Sequence, residues 1–187
     1  MTAPRSHRLR VAVAVAATAA AALTAFVLVW FQPQKLFIDD RVDEALPVAP
    51  AGAPTGGRAP ATPAPEPEPM LRTLSLAPFH SHEHATEGRA RVLDVPGDRR
   101  YVRFERFRTS NGPLLRVYLS AARADGRGGA FDDRFVDLGA LKGNIGAQNY
   151  AIPRRTDLGD YRSVVVWCKR FSVPFAAAPV GAAGRSA

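Results

Sequence analysis

The 187-residue chain carries a single cysteine, Cys168, so no intrachain disulfide can form. Whatever folds is held by an apolar core and by hydrogen bonds. One cysteine also excludes the Cys-x-x-Cys-His attachment site of a c-type haem. Methionine is nearly absent, and none follows Met70. A blue-copper site in the later part of the chain would therefore lack its usual weak axial ligand. The first third is poor in aromatic residues outside the end of one apolar run. No segment of the remainder shows sustained helical periodicity beyond one turn at Leu158–Tyr161, and no nucleophile–base–acid set stands out, so no catalytic set is recognised.

What is present begins with an apolar run. Val11 to Phe31 contains no charge, and a helix of about 20 apolar residues crosses a bilayer core of roughly 30 Å. Arg5, Arg8 and Arg10 precede it, and Lys35 is soon followed by Asp39, Asp40, Asp43 and Glu44. A basic flank stays cytoplasmic. Residues 1–10 are thus expected inside, residues 11–31 in the cell membrane as a single-pass anchor, and the C-terminal part outside the cytoplasm. The rival is a cleaved signal peptide, whose apolar core runs about 7–15 residues and ends on small side chains. Here the bulky stretch Phe26 to Phe31 closes the run, which favours an uncleaved anchor.

Residues 32–70 read as a juxtamembrane segment and linker. Phe37–Leu46 is expected to form a short helix or no element. Leu46–Met70 is rich in Pro, Ala and Gly and has almost nothing to bury, so it reads as an extended spacer. At about 3 Å per residue such a spacer would hold the next domain several tens of Å from the bilayer. Residues 181–187 read as a disordered tail. That leaves residues 71–180 as the folded unit.

In that unit, strand signals alternate with turn residues. Strands are expected at Arg89–Val95, Tyr101–Phe107, Leu115–Leu119, Phe135–Leu138, Asn149–Ile152, Ser163–Cys168 and Phe171–Phe175. Pro174 points to an edge position for the last. The sum is an all-β domain, a single sandwich or barrel of seven or eight short strands.

Cys168 ends the most apolar run of the domain, Val164-Val165-Val166-Trp167-Cys168. It reads either as a small buried hydrophobe or as a redox thiol or ligand, with Lys169 and Arg170 placed to favour an exposed thiolate if the strand ends there. His80, His82 and His84 recur with period two and would share one face of an extended segment. They are weak candidates for copper or zinc, because three imidazoles on one strand do not close a tetrahedron without another ligand. Asp132, Asp133 and Asp137 lack calcium-loop spacing. Gly139, Gly143 and Gly146 do not make a phosphate loop, since no Gly-Lys-Ser/Thr follows; they shape a tight connection instead. The net charge is +8, but the arginines are dispersed over most strands, which reads as solvated outer faces. No nucleic-acid partner is expected for a domain facing out.

Four blocks in order, FHSHEHATEG (79–88), TSNGPLLRVYLS (109–120), LGALKGNIGAQNYAIP (138–153) and VVVWCKRFSVPF (164–175), resemble the DM-thirteen domain, the electron-transfer DM-thirteen family, over about residues 74–180. The layout is similar to that of bacterial membrane-anchored members. The resemblance implies a β-rich fold and a redox role centred on Cys168, acting as a bare thiol or as ligand to a group such as haem, with His84 the next candidate. Trp167, Asn111, Gly112, Pro113, Gly143, Asn144, Gln148, Asn149 and Tyr150 match motif positions. Leu114 and Ala147 depart from the pattern, where an acidic and a polar residue are usual. The expected function is a membrane-anchored extracytoplasmic redox or electron-transfer module using Cys168, with an unidentified extracytoplasmic protein or redox partner; haem or a metal is the only cofactor class that comes into view. The alternatives are a non-enzymatic cell-surface binding or structural module, and a dimer linked through Cys168.

Overall fold

The computed structural model describes residues 4–30, 39–47 and 71–181. The greater part of the Pro/Ala-rich linker, the tail beyond Gly181, and Phe31 at the end of the expected anchor lie outside the described residues. The chain divides into two units, residues 1–38 and 39–187. In the first, α1 (Pro4–Trp30) is one continuous helix. Its stretch Leu9–Trp30 is long and apolar enough to cross a membrane.

The second unit is a sandwich of two five-stranded sheets. The strands are β1 (Arg41–Asp43), β2 (Arg72–Pro78), β3 (His80–Ser81), β4 (Glu87–Val95), β5 (Arg99–Arg108), β6 (Leu115–Ser120), β7 (Phe135–Ala140), β8 (Ile145–Ile152), β9 (Ser163–Cys168) and β10 (Val173–Pro179). One sheet runs β1-β8-β5-β4-β2 and the other β3-β10-β9-β6-β7. Period-two alternation sets the faces. On β5, Val102 and Phe104 point into the interior while Arg103 and Glu105 stay outside. A bulge between Phe104 and Phe107, with Arg106 at φ 49°, restores Phe107 to the interior after the three-residue step. The interior cluster draws Val92, Val102, Phe104 and Tyr150 from one sheet and Leu115, Val117, Val164, Val166 and Phe175 from the other. A second cluster, Tyr118, Phe131, Val165, Trp167 and Ala177, covers the outer face of the β6/β9/β10 sheet.

All seven expected strands have counterparts, the last shifted from Phe171–Phe175 to Val173–Pro179 with Phe171 and Ser172 in the turn before it, and Leu158–Asp160 is a short 3-10 helix. Three departures have physical causes. The segment expected as a helix or as nothing contributes β1, which pairs in parallel with β8 and matches Arg41 to Ile145, Val42 to Gly146 and Asp43 to Ala147. Three residues are too few to leave a periodic signal in the sequence. Strands β2 and β3 also went unread, and they bring the total to ten rather than seven or eight. Finally, β10 is not an edge: the two-residue β3 pairs beyond it. Its Pro174 is tolerated at the bulge between Pro174 and Ala176, where ladder bonding is already interrupted.

Candidate functional site

Cys168 is the last residue of β9, the central strand of its sheet, lying opposite Leu115 of β6 and Val173 of β10. Alternation along VVVWC sends Val164, Val166 and Cys168 inward and Val165 and Trp167 to the outer-face cluster. The cysteine is completely sealed, with 0% of its surface exposed. Its Sγ–H donates to the carbonyl of Pro113 at 3.3 Å. The turn Ser110–Leu114 thus lies over the thiol, and the Lys169 amide fixes that turn by donating to the Leu114 carbonyl at 3.1 Å. Although β9 ends here as the exposed-thiolate reading required, the cysteine side chain points into the interior, while Lys169 is exposed and Arg170 half-buried.

The turn is covered in its own right. An added Cβ at Gly112 would meet Cζ of Phe175 at 2.8 Å, so the ring and this backbone are in close contact. On Phe175 lies the imidazole of His84, with centroids 3.7 Å apart and planes at 30°. Nδ1 of His84 is 2.7 Å from the Ser110 hydroxyl, at the start of the turn. Desolvation holds the His84 pKa below its ordinary value against the raising effect of Glu83. Below His84, Thr86 shares a hydrogen bond of 2.8 Å with Thr109. A chain of contacts therefore runs from Cys168 through the Gly112-Pro113 turn and Phe175 to His84. The sequence blocks contain all of these residues. What they do not announce is that Phe175 and Ser110 join His84 to the turn over the cysteine, a link that depends on three strands meeting.

The three histidines do not share a face. His80 is exposed beside Arg123 and Asp125. His82 places Nε2 2.8 Å from the Ala124 carbonyl and packs edge-on against Phe131 of the outer-face cluster. His84 packs on Phe175 of the interior cluster. The cause is a bend over residues 82–84, where the backbone amides of His82 and His84 both reach the Phe175 carbonyl. Period two holds only while the strand is extended. Among the described residues no group of three or more His, Cys, Asp or Glu side chains is placed to hold a metal ion.

Nor does this arrangement fit haem. The sulfur has no open side, and its nearest polar partner is a carbonyl. The cavity of about 780 Å³ on the domain lies elsewhere, lined by residues that include Arg72, Ser75, Leu158 and Tyr161. Another, of about 460 Å³, lies on the outer face of the β1/β8/β5/β4 region among Arg41, Arg91, Arg103 and Arg106. Neither includes Cys168 or His84. Glu105, 3.3 to 3.8 Å from Arg89, Arg91 and Arg103, gathers the arginines of that face.

The motif LKGNIGAQNY has a different use. Gln148, with 0% of its surface exposed, accepts through Oε1 from the amides of Lys142 and Gly143 and from the Tyr150 hydroxyl, and donates to the Gly143 carbonyl at 2.8 Å. Burial is the main cause that pushes the Tyr150 phenol far above its ordinary pKa.

Two five-stranded sheets around one interior, with a lone thiol sealed at the end of a central strand, define a β-sandwich domain. The model of the family "Electron transfer DM13" matches residues 78–180, more than half of the chain, and the chain belongs to that family. No curated protein and no solved structure matches the chain.

Proposed function

We propose that the chain is a membrane-anchored electron-transfer module whose β-sandwich lies outside the cytoplasm and whose redox group is the thiol of Cys168. Family membership supports the redox role. The apolar stretch Leu9–Trp30 and its basic N-terminal flank support the anchor and its orientation; a signal sequence would meet the same length and composition, and intact-mass measurement of the membrane-extracted protein separates the two. The observation that carries the reading is the cover over the sulfur: one small turn, one hydrogen bond to Pro113 and one ring. A sealed thiol resists adventitious oxidation, because susceptibility follows exposure. Leu114 sits in that turn at φ 55°, a costly conformation for a non-glycine residue, and on this reading the turn is the part that opens. Once open, the thiol loses its proton to solvent and the thiolate attacks one sulfur of a partner disulfide. A mixed disulfide forms as the partner's own S–S bond breaks and its second sulfur leaves as thiolate.

The same sealing favours a second reading, a binding or structural module in which Cys168 is only core. Thiol labelling of the native chain in mild detergent decides between them. Local opening predicts labelling faster than global unfolding, and a cellular defect in Cys168→Ser. Labelling only at the global unfolding rate, with no defect in a folded Cys168→Ser protein, leaves the second reading.

A further inference from the structure

The segment that follows the apolar helix is built into the domain more firmly than three strand residues imply. Its backbone is bonded at both ends of the pairing. The Ile145 amide donates to the Asp40 carbonyl at 3.3 Å, and the Glu44 amide donates to the Ala147 carbonyl at 2.8 Å. Asn144, almost fully buried, accepts from the Asp40 amide at 2.7 Å while its Nδ2 donates to the Asp39 carboxylate at 2.8 Å and to the Thr109 carbonyl at 3.1 Å. The Glu44 carboxylate takes Lys142 Nζ and the Asn149 amide, each at 2.6 Å. Arg103 and Asn149 donate to the carbonyls of Glu44 and Ala45.

The floor of this seat is glycine. A Cβ on Gly146, which sits at φ +109°, would collide with the Val42 carbonyl, and one on Gly143 would collide with the Asp40 carbonyl. The motif glycines thus admit a backbone at close range. The strand they admit lies outside residues 78–180, the part matched by the family model. The chain re-enters the same sheet as β2, at the opposite edge. Four strand spacings of about 4.8 Å separate those edges. Residues 48–70, at about 3 Å per residue, reach across that span with length to spare.

We propose that residues 39–46 are a non-covalent clip. They fasten the domain to the segment next to the membrane helix, so that the Pro/Ala-rich stretch is a loop closed at both ends on one sheet and not a stalk. A protease that cuts the loop does not shed the domain.

The test uses the full chain with an N-terminal tag and a specific protease site inserted between residues 50 and 60. After cutting in mild detergent, the tagged fragment is captured and the retained C-terminal fragment is measured. Retention near that of uncut protein is expected for the natural sequence. Val42→Pro, which breaks the pairing from the clip side, and Glu44→Ala, which removes the carboxylate from Lys142 and Asn149, are expected to lower retention at least tenfold and a few-fold respectively. The melting curve of the released fragment reports that it is folded. Release of the natural fragment on cutting overturns the proposal, as does retention of both variants equal to the natural sequence. If Val42→Pro does not fold, Glu44→Ala alone decides on the same criterion.

Discussion

The ring of Phe175 is held between two groups from distant parts of the chain: the His84 imidazole stacks on it at 3.7 Å, and the Gly112 backbone abuts its Cζ end. Because the carbonyl of the next residue, Pro113, accepts a hydrogen bond from the Cys168 thiol, this ring couples an imidazole near the surface to the cover of a sealed sulfur. Movement of Phe175 is thus expected to reach the thiol.

Gly112→Ala tests that coupling. The new methyl would lie 2.8 Å from Cζ of Phe175, and overpacking of this kind costs about 1–3 kcal/mol. Urea unfolding should show that loss. Native-state labelling of Cys168 should speed up by more than the change in global stability accounts for. Unchanged labelling would mean that the ring and the lid move independently.

His84 gives the domain a pH dependence of defined sign. Its pKa in the folded state is lowered, first by desolvation, so the unfolded chain takes up the proton more readily. Stability is then fully present above the ordinary histidine value of about 6.5 and declines as the pH falls from there through the folded value. His84→Ala should remove this part of the pH profile and cost about 1 kcal/mol at neutral pH through the lost ring contact. Unfolding free energies from pH 5 to 8 for the two proteins provide the check.

Gln148→Leu should be among the most damaging single changes in the domain. The apolar side chain leaves the Gly143 amide and carbonyl and the Tyr150 hydroxyl without the partners they have now. Orphaned buried groups cost about 1–3 kcal/mol each. Tyr150→Phe removes only the hydroxyl and should cost about 1 kcal/mol. Chemical denaturation of the two variants should rank them in that order.

Acid should loosen β1 before it unfolds the sandwich. Burial acts to raise the Glu44 pKa, but the hydrogen bonds from Lys142 and the Asn149 amide and the charges of Lys142 and Arg103 outweigh it, so the carboxyl titrates below its ordinary 4.5. Its contribution is present above that value and is lost as the pH falls through the lower folded one. Protection factors at the amides of Glu44, Ile145 and Asn149, taken against the intrinsic exchange rate at each pH, should therefore fall at pH 3 relative to pH 6. Those at the centre of β5 should not.

Much of the sandwich was legible because its central strands are long enough to alternate. The run from Tyr101 to Phe107 and the apolar run Ser163–Cys168 carried their assignment in their own residues. The elements that went unread are short or lie on the flanks. Arg41–Asp43 and His80–Ser81 are held by partners far away in the chain, and no local pattern records a pairing with Ile145–Ala147 or with Ala176–Ala177. At the candidate site, the sequence singled out Cys168 and His84 but grouped His84 with His80 and His82 on the assumption of an extended strand. The bend at residues 82–84 separated them.

The amino-acid sequence by itself determined that one thiol stands without a disulfide partner, that an uncharged apolar helix precedes a β-rich unit, and which strand carries the cysteine, because composition and period are local properties. Only the tertiary structure decided that the sulfur points inward beneath Pro113, that one imidazole alone joins its cover, and that the glycines of the KGNIG stretch receive residues 40–42, which follow the apolar helix in the chain. Those outcomes depend on backbones brought together from opposite ends of the chain, and the direction in which a strand faces is fixed by what packs on it.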